Sequence, residues 1–355
     1  MKIQENIPLA QFTTLGVGGP ARYFVQAGTE QEIQEALVFA AHRRLPLFVL
    51  GGGSNLVIAD EGWPGLVLRI ALRGIERQSE DRHAAFHVAA GENWDEFVAR
   101  TVEANCAGLE CLSGIPGTVG GTPVQNVGAY GQEVSQTITS VRVLEIASGK
   151  ISELRNASCG FAYRSSIFNT SHRGRYIVLK VEFQLERGGL PTLEYTDLKT
   201  FFAGANTQPT LQQVREAVRE IRQRKAMLLI EGDEDCRSAG SFFKNPLVSI
   251  AEAERIDAVA KQRFPGKTMP QYPAANAHVK LAAAWLVEQA GLTKSYSRGS
   301  VGISRKHSLA IVNRGGATAR DILELKNEIQ SRVFNVWGVR LEPEPVLVGF
   351  DDKMI

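Results

Sequence analysis

Apolar residues recur at helical spacing in several parts of the chain, each time behind a residue that can cap a helix. Residues 29–44 (TEQEIQEALVFAAHRR) carry one such stripe, and Thr29 with Glu32 forms a capping-box pair at its start. Residues 211–225 carry another stripe, again behind a capping-box pair, Thr210 with Gln213. Further helices are predicted for 94–104 behind Asn93, and near 250–262, 280–290 and 318–335.

Short apolar runs bounded by turn residues predict β-strands between these helices. The predicted strands are 21–27, 45–50 and 65–70. Strands or strand ends are predicted at 141–146, 176–186 and 193–195, and the last strand-like run is 341–350. Strands and helices do not alternate in the regular manner of βαβ repeats. The pattern therefore favours an α+β fold over a doubly wound parallel sheet.

Composition and charge narrow the class of protein. The 355 residues suffice for two or three domains, and the net charge of +2 gives no general attraction to nucleic acid. The first residues lack the pattern of a signal peptide, and no apolar run is long enough to cross a membrane, so a cytoplasmic protein is expected. The four cysteines form no CxxC pair and the six histidines are scattered, so neither a disulfide framework nor a metal site is expected.

Three glycine-rich stretches stand out against this pattern. Residues 114–131 (GIPGTVGGTPVQNVGAYG) contain six glycines and two prolines, which disfavour a regular helix. The other two stretches are TTLGVGGPA (13–21) and GGGSN (51–55). Each alone is typical of a tight turn. Together they indicate a large anionic ligand lying along the backbone, because glycine allows a close approach without a Cβ.

Known phosphate-binding motifs narrow the kind of ligand site. A GxGxxG/A match at Gly16–Ala21 precedes a strand-like run instead of opening a helix, which argues against a Rossmann dinucleotide site. The 51–55 loop follows a predicted strand, but no helix follows the loop. Backbone N–H groups of the loop itself, rather than a helix end, would therefore meet an anion.

The same stretches carry a resemblance to a known family. The sequence resembles UDP-N-acetylenolpyruvoylglucosamine reductase in, from N- to C-terminus, TTLGVGGPARYF, LGGGSNLV, GENWDEFV, GIPGTVGGTPVQNVGAYG, FAYRSSIF, AGSFFKNP and LEPEP. The resemblance spans nearly the whole chain. It implies a cytoplasmic, monomeric FAD enzyme that uses NADPH to make UDP-N-acetylmuramate, and hence a role in peptidoglycan synthesis, cell shape and cell division.

The resemblance also implies a division into three domains. Two of them form an FAD-binding module of the vanillyl-alcohol-oxidase/PCMH type. The first comprises residues 1–72, joined by the C-terminal strand 338–355, and the second comprises residues 73–208. Residues 209–337 form a C-terminal α+β substrate-binding domain.

FAD is placed by the resemblance along two of the glycine-rich stretches. In the first, the implied contacts with the pyrophosphate are Gly51, Gly52, Gly53, Ser54 and Asn55. In the second, the implied contacts with the pyrophosphate and the flavin are Gly117, Thr118, Val119, Gly120, Gly121, Thr122, Gln125 and Asn126. Neither stretch contains lysine or arginine. Phosphates held by backbone N–H donors have little need of either side chain.

Three residues match the family's catalytic groups. In the family, reduced FAD gives a hydride to C3 of the enolpyruvyl group and a proton is added at C2. Arg164 matches the arginine at the substrate carboxylate, where a guanidinium suits the carboxylate geometry. Ser241 matches the proton donor to C2, and Glu344 matches a glutamate that faces the carboxylate. Pro345 departs from the family, which usually has valine there, and proline removes a backbone donor.

The substrate's UDP group is implied to bind further residues. Tyr195 resembles the tyrosine of a mobile loop that occurs in one of the two family subtypes, and its presence places the chain in that subtype. The other implied substrate contacts are Tyr130, Tyr163, Lys225, Asn245 and Tyr272. The resemblance also implies that NADPH and the UDP-sugar use one site in turn.

Three other functions remain open at the level of sequence. An oxidase on the same kind of FAD-binding fold is one, although no histidine lies within 43–82 or 88–171 to attach FAD covalently near the glycine stretches. A non-redox nucleotide-sugar binder or transferase that has lost FAD is the second, and the intact glycine stretches argue against it. A structural or nucleic-acid-binding module is the third, and the near-neutral charge and the lack of a basic patch interleaved with aromatic residues argue against it.

Overall fold

The computed structural model describes residues 1–274 and 277–350. Within these residues the α-helices are α1 (Glu30–His42), α2 (Trp94–Glu103), α3 (Thr196–Phe201), α4 (Leu211–Arg224), α5 (Ile250–Arg263), α6 (Ala283–Gln289) and α7 (Ala319–Trp337). Short 3-10 helices lie at Ala10–Phe12, Glu110–Leu112, Val119–Gly121, Val134–Gln136, Asn156–Ser158 and Glu234–Cys236. Of the helices in this part of the chain, none combines the length and the apolar character that crossing a membrane requires.

The β-strands are mostly short. In the N-terminal half they are β1 (Gln4–Pro8), β2 (Pro20–Ala27), β3 (Leu47–Leu50), β4 (Leu56–Ile58), β5 (Trp63–Ile70), β6 (Ile75–Glu80), β7 (His83–Ala89), β8 (Cys106–Ala107), β9 (Gly128–Ala129), β10 (Gln132–Glu133), β11 (Ile138–Glu145), β12 (Ile151–Arg155) and β13 (Tyr176–Arg187). In the C-terminal half they are β14 (Leu247–Ser249), β15 (Gln271–Pro273), β16 (His278–Leu281), β17 (Ser297–Arg298), β18 (Val301–Ile303), β19 (Ile311–Asn313) and β20 (Val346–Val348).

The chain divides into two compact units. The first unit consists of Met1–Ile7, Ala21–Gly53 and Trp63–Leu228. The second consists of Pro8–Pro20, Ser54–Gly62 and the chain from Leu229 onward. The first unit therefore includes α4. The three-domain division stays a prediction, and the last five residues of its 338–355 segment lie outside the described residues.

Two larger sheets organise the first unit, beside the short pair of β9 and β10. One has the strand order β1-β2-β5-β3, in which β5 runs parallel to both β2 and β3. The other is antiparallel with the order β12-β11-β13-β7-β6, and β8 also pairs with β13. Aromatic side chains fill its core, where the ring of Phe97 lies 5.1 Å from that of Phe183 and 5.9 Å from that of Trp94. Parallel pairing in one sheet and antiparallel pairing in the other, together with the helices, agree with the predicted α+β class.

The second unit has its own sheets and its own core. Its sheets have the orders β14-β16-β15, β17-β18-β19 and β20-β4, the last being a parallel pair. The ring of Trp337 at the end of α7 lies 5.3 Å from that of Trp285 and 5.9 Å from that of Phe264. Gly338 ends α7 in the left-handed conformation, with φ of 73°, which suits glycine because it has no Cβ.

Helix starts follow the predicted caps closely. The side chains of Thr29 and Asn93 accept hydrogen bonds from the N–H groups of Glu32 and Glu96. Thr210 and Gln213 form the full capping box. At α1 the predicted box is incomplete, because the carboxylate of Glu32 accepts from the N–H of Gly28. These caps depend on residues three apart, which explains why local sequence predicts them.

Three strand predictions need correction. The sequence predicts a strand or strand end at 193–195, but the structure shows irregular chain there, ahead of α3. The predicted buried strand 45–50 is shorter, Leu47–Leu50, and only half-buried. The last predicted strand shrinks to Val346–Val348, because the chain before it pairs only through an isolated bridge between Phe243 and Pro343.

Candidate active site

The two predicted FAD-binding stretches contact each other in the first unit, through Gly52 and Gly117. A Cβ built on Gly52 would lie 2.5 Å from the Cα of Gly117, closer than any side chain tolerates. A Cβ on Gly51 would lie 3.2 Å from Oγ1 of Thr118. Glycine is therefore required at Gly52 so that two backbones, separated by many residues in sequence, can pack directly.

Backbone donors are available where these stretches meet. Within the described residues, the N–H groups of Gly51, Gly52, Gly53 and Gly117 donate no hydrogen bond. Gly53 and Gly117 have φ of 66° and 132°, and residues with a Cβ rarely adopt these backbone conformations. A Cβ on Gly121 would meet nothing within 4 Å. Unused backbone donors are what a pyrophosphate needs, so the glycines that carry them fit a bound FAD.

Gly114, at the start of the second stretch, is held by two charged side chains. Its N–H donates to Oδ1 of Asp95 at 2.6 Å, and its carbonyl oxygen accepts from Nε of Arg222 at 3.1 Å. Nη2 of Arg222 also donates to the carbonyl oxygen of Met227 at 2.7 Å. Arg222 is almost fully buried, and burial lowers the pKa of its guanidinium. The start of the glycine-rich stretch is thus fixed by a buried cation on α4.

Asp95 itself is surrounded by donors. Arg215 donates to its carboxylate at 2.6 Å, and Arg219 donates to the other oxygen. Burial opposes the charged form, but the hydrogen bonds from Arg215 and from the Gly114 N–H outweigh it. The pKa of Asp95 is therefore held below its usual 3.8.

Some side chains of the second stretch are committed to the fold. Asn126 is buried with φ of 44°, and its amide nitrogen donates to Glu133 at 2.8 Å and to the carbonyl oxygen of Ala162 at 3.0 Å. Oγ1 of Thr122 donates to the carbonyl oxygen of Val119 at 2.8 Å. Thr122, Val119 and Asn126 thus shape the predicted FAD-binding stretch from inside.

Arg164 lies at the tip of a tight turn in the first unit. Ala162 and Ser165 exchange backbone hydrogen bonds at 2.9 and 3.0 Å, so that Tyr163 and Arg164 form the two-residue tip. Arg164 has φ of 52°, uncommon for a residue with a Cβ. Its Nη2 donates to the carbonyl oxygen of Gly128 at 2.8 Å, and its guanidinium carbon lies 5.4 Å from the ring centre of Tyr163. The turn thus joins a predicted catalytic residue to the glycine-rich stretch.

A cluster around Tyr130 collects other predicted substrate residues of the first unit. The rings of Tyr130 and Tyr195 meet edge to face with centres 5.4 Å apart. Tyr130 is buried, and burial raises the pKa of its phenol. Lys225, the C-cap of α4, forms an ion pair with Asp197 in the first turn of α3. The structure therefore brings Tyr130, Tyr195 and Lys225 into one region.

Ser241 and Glu344 lie on two adjacent segments of the chain in the second unit. Around the bridge between Phe243 and Pro343, the N–H of Glu344 donates to the carbonyl oxygen of Phe242 at 2.8 Å. The next donor along the chain is the N–H of Val346, which reaches Asn55. Position 345 falls between these two backbone hydrogen bonds, and both are present beside Pro345.

Asn55, Asn245 and Tyr272 are further predicted site residues of the second unit. Nδ2 of Asn55 donates to the carbonyl oxygen of Glu344 at 3.1 Å. Oδ1 of Asn245 accepts from the N–H of Ala283 at 3.0 Å and so supports the start of α6. Tyr272, in β15, is 47% exposed. Ser54 lies beside Asn55 in the same unit, and its carbonyl oxygen accepts from Thr14. Gln125 lies in the first unit and is half-buried.

The division into units separates the three predicted catalytic residues. Arg164 belongs to the first unit, and Ser241 and Glu344 belong to the second.

Within residues 1–274 and 277–350, no group of three or more His, Cys, Asp or Glu side chains is placed to hold a metal ion.

Sequence reasoning missed three residues near these sites. Asp95 and Arg222 hold Gly114, and His307 lies beside Ser241, with Nε2 3.4 Å from Oγ. Arg222 gave one signal, because it follows Val218 by one helical turn on the apolar face of α4. A charged residue in such a stripe indicates a buried partner. Asp95 and His307 gave no comparable signal.

Two family models match the chain and define its class. The model described as "FAD binding domain" matches residues 21–155, which include both glycine stretches that meet at Gly52 and Gly117. The model described as "UDP-N-acetylenolpyruvoylglucosamine reductase, C-terminal domain" matches residues 232–348, which include Ser241 and Glu344. The chain is a flavoprotein oxidoreductase, and the predicted α+β chain with an FAD-binding module and a distinct C-terminal domain is confirmed.

Full-length relatives identify the family. UDP-N-acetylenolpyruvoylglucosamine reductase of Thermobifida fusca (strain YX) is 46% identical over 97% of this chain and 98% of its own length. The same enzyme of Pseudomonas fluorescens is 41% identical over 98% of this chain and 99% of its own length. The crystal structure of the Thermus caldophilus reductase has a TM-score of 0.67 at 27% identity, covering 98% of this chain and 99% of that chain. This chain belongs to the UDP-N-acetylenolpyruvoylglucosamine reductase family.

Proposed function

We propose that the protein reduces UDP-N-acetylenolpyruvoylglucosamine to UDP-N-acetylmuramate, with NADPH as the source of hydride and FAD as its carrier. The observation that carries the proposal is the backbone contact between Gly52 and Gly117. It gathers free N–H donors in the part of the chain that matches the FAD-binding model. FAD, when bound, supplies hydride chemistry that no amino-acid side chain provides.

Ser241 is the proposed donor of the proton that is added at C2. Addition of a hydride at C3 pushes electrons through C2 onto the carboxylate, and C2 becomes basic. A serine hydroxyl is a weak acid, so it needs a basic carbon and a fixed position. The backbone of Phe242 supplies part of that position, because its N–H donates to Leu309 and its carbonyl oxygen accepts from Glu344.

Arg164 and Glu344 are the proposed groups at the substrate carboxylate. The guanidinium offers charge-assisted hydrogen bonds that strengthen as negative charge develops. Its position at the tip of a strained turn is typical of functional residues. Glu344 would assist through a hydrogen bond, and its backbone is fixed on both sides by Phe242 and Asn55.

The remaining contacts follow the substrate's UDP group. Lys225 is the proposed diphosphate contact, since its ammonium is partly exposed and already pairs with a carboxylate. On the basis of Tyr195 we assign the chain to the subtype with the tyrosine loop, and the ring of Tyr195 packs on that of Tyr130. The other proposed substrate contacts are Tyr163, Asn245 and Tyr272. NADPH is proposed to use the same site before the UDP-sugar.

The biological setting is part of the same proposal. We place the enzyme in the cytoplasm as a monomer that acts in peptidoglycan precursor synthesis, and so in cell shape and division. We retain the three-domain division, with residues 1–72 and 73–208 as FAD-binding subdomains and 209–337 as the substrate domain. The two larger sheets of the first unit support two subdomains there.

The two half-reactions are tested together by visible absorption. The purified protein is expected to show the yellow flavin spectrum, to bleach when NADPH is added without oxygen, and to recover its colour with UDP-N-acetylenolpyruvoylglucosamine. Recovery only in air would favour the oxidase interpretation instead. A colourless protein that does not take up added FAD would contradict the proposal altogether.

A further inference from the structure

We propose that His307 is a positioning residue for Ser241, and that it holds the serine oxygen by donating a hydrogen bond from Nε2. This inference rests on the proposed role of Ser241 as proton donor. Oγ of Ser241 and Nε2 of His307 lie 3.4 Å apart, at the long end of hydrogen-bond distances. Catalytic hydrogen bonds are often long before substrate binds and shorten in the complex.

The second ring nitrogen decides which partner donates. The backbone N–H of Leu309 donates to Nδ1 of His307 at 3.0 Å. Nδ1 must therefore carry a lone pair, and the proton of the neutral ring lies on Nε2. Nε2 is then the donor and Oγ of Ser241 is the acceptor. His307 is thus not arranged as the base that activates a serine nucleophile in hydrolases.

Hydrogen bonds fix the backbone of His307, and this limits the positions that its imidazole ring can take. The N–H of His307 donates to Oγ of Ser304 at 3.3 Å, and Ser304 is fully buried. The carbonyl oxygen of His307 accepts from the N–H of Ala310 at 3.2 Å. Leu309 contacts both parts of the pair, because its carbonyl oxygen accepts from the N–H of Phe242, the residue after Ser241.

This arrangement suits a serine that gives up its proton. The bond from Nε2 uses a lone pair of Oγ, so the serine's own proton is directed elsewhere and can be given to C2. When the proton leaves, the electron pair of the O–H bond stays on Oγ, and the C2–H bond forms from the electron pair on the carbon. The alkoxide charge on Oγ is stabilised by the Nε2–H bond, and solvent water later returns a proton to Oγ.

Two variants of His307 separate its two hydrogen bonds. Asparagine places an oxygen near the position of Nδ1, so His307→Asn keeps an acceptor for the Leu309 N–H and loses the donor to Ser241. Glutamine reaches further and places an amide N–H near the position of Nε2. His307→Gln therefore restores the donor to Ser241. Thermal unfolding of both variants shows whether the fold is intact.

The experiment measures each half-reaction by stopped-flow absorption on FAD-loaded protein. With His307→Asn, we expect bleaching by NADPH within about twofold of wild type and recovery with UDP-N-acetylenolpyruvoylglucosamine slowed about tenfold to a hundredfold. With His307→Gln, we expect recovery within about threefold of wild type. Equal slowing in two well-folded variants would overturn the inference.

Ser241→Ala, alone and combined with His307→Asn, separates this inference from the function on which it rests. We expect His307→Asn to add less than about twofold when Ser241 is already gone, because its effect runs through that oxygen. Full additivity would show that His307 acts independently of Ser241. If Ser241→Ala is slow and His307→Asn is normal, the inference fails and the proposed function stands. If Ser241→Ala recovers at the wild-type rate, the proton-donor role itself is wrong.

Discussion

Gly52 and Gly117 pack so closely that a Cβ on Gly52 would lie 2.5 Å from the Cα of Gly117. The contact joins two stretches that each look like an ordinary turn in the sequence. It also leaves the N–H groups of both glycines without an acceptor in the described residues. A structural requirement and the predicted FAD-binding site therefore coincide at the same residues.

Alanine at Gly52 and alanine at Gly121 should have different effects. Gly52→Ala forces the Gly117 backbone away, so we expect a lower thermal unfolding midpoint even without FAD, with a loss of about 1–3 kcal/mol. Gly121 faces open space, so Gly121→Ala should leave the FAD-free protein stable and weaken FAD binding about tenfold by occupying cofactor space. FAD titration and thermal unfolding of the FAD-free protein measure both effects.

Gly204→Ala provides the control for these substitutions. Gly204 also has nothing within 4 Å of a Cβ and lies outside both predicted FAD-binding stretches. It should change neither stability nor FAD affinity. If Gly121→Ala binds FAD as tightly as Gly204→Ala does, the cofactor does not approach Gly121.

Removal of the Arg222 side-chain charge should destabilise the first unit. Arg222→Met leaves the carbonyl oxygens of Gly114 and Met227 without their donors, so we expect a loss of about 2–4 kcal/mol in unfolding free energy. Arg224 lies on the same helix but forms an exposed pair with Glu220, so Arg224→Met should cost less than about 0.5 kcal/mol. Urea unfolding compares the two variants. Equal losses of unfolding free energy would contradict the role of Arg222 in holding Gly114.

Asp95 should make stability depend on pH in the acid range. Its folded pKa lies below the usual 3.8, so the charged side chain stabilises the fold above that pH, and the contribution is lost as pH falls through the folded pKa. Asp95→Asn should cost about 2 kcal/mol at neutral pH. The difference from wild type should shrink as the pH is lowered below 3.8. Urea unfolding over a pH series measures it, and a constant difference would argue against the assignment.

Glu344→Gln should affect the two half-reactions unequally. We expect near-normal bleaching by NADPH and recovery with the enolpyruvyl sugar slowed about a hundredfold, because only the second step builds charge at the carboxylate. Glu342→Gln is the matched control, since Glu342 is 75% exposed in its side chain and pairs only weakly with Lys244. Equal slowing of both steps by Glu344→Gln would count against its role.

Local sequence predicted features that depend on neighbouring residues. The N-caps at Thr29, Asn93 and Thr210 were predicted and are confirmed, because each bond joins residues three apart. The strand expected at 193–195 was wrong, and the chain there is irregular ahead of α3. A run that short carries too little pattern to distinguish a strand from an extended loop.

The sequence by itself determined the family, the α+β class and the glycine-rich stretches where a ligand could approach the backbone. The family followed from long, specific motifs, and the fold class followed from the order of the predicted strands and helices. Only the tertiary structure decided which residues meet. Arg222 reaches Gly114 across 108 residues, and His307 reaches Ser241 across 66. Such contacts depend on how the whole chain packs, so no local pattern encodes the donor that a buried carbonyl oxygen or a serine will find.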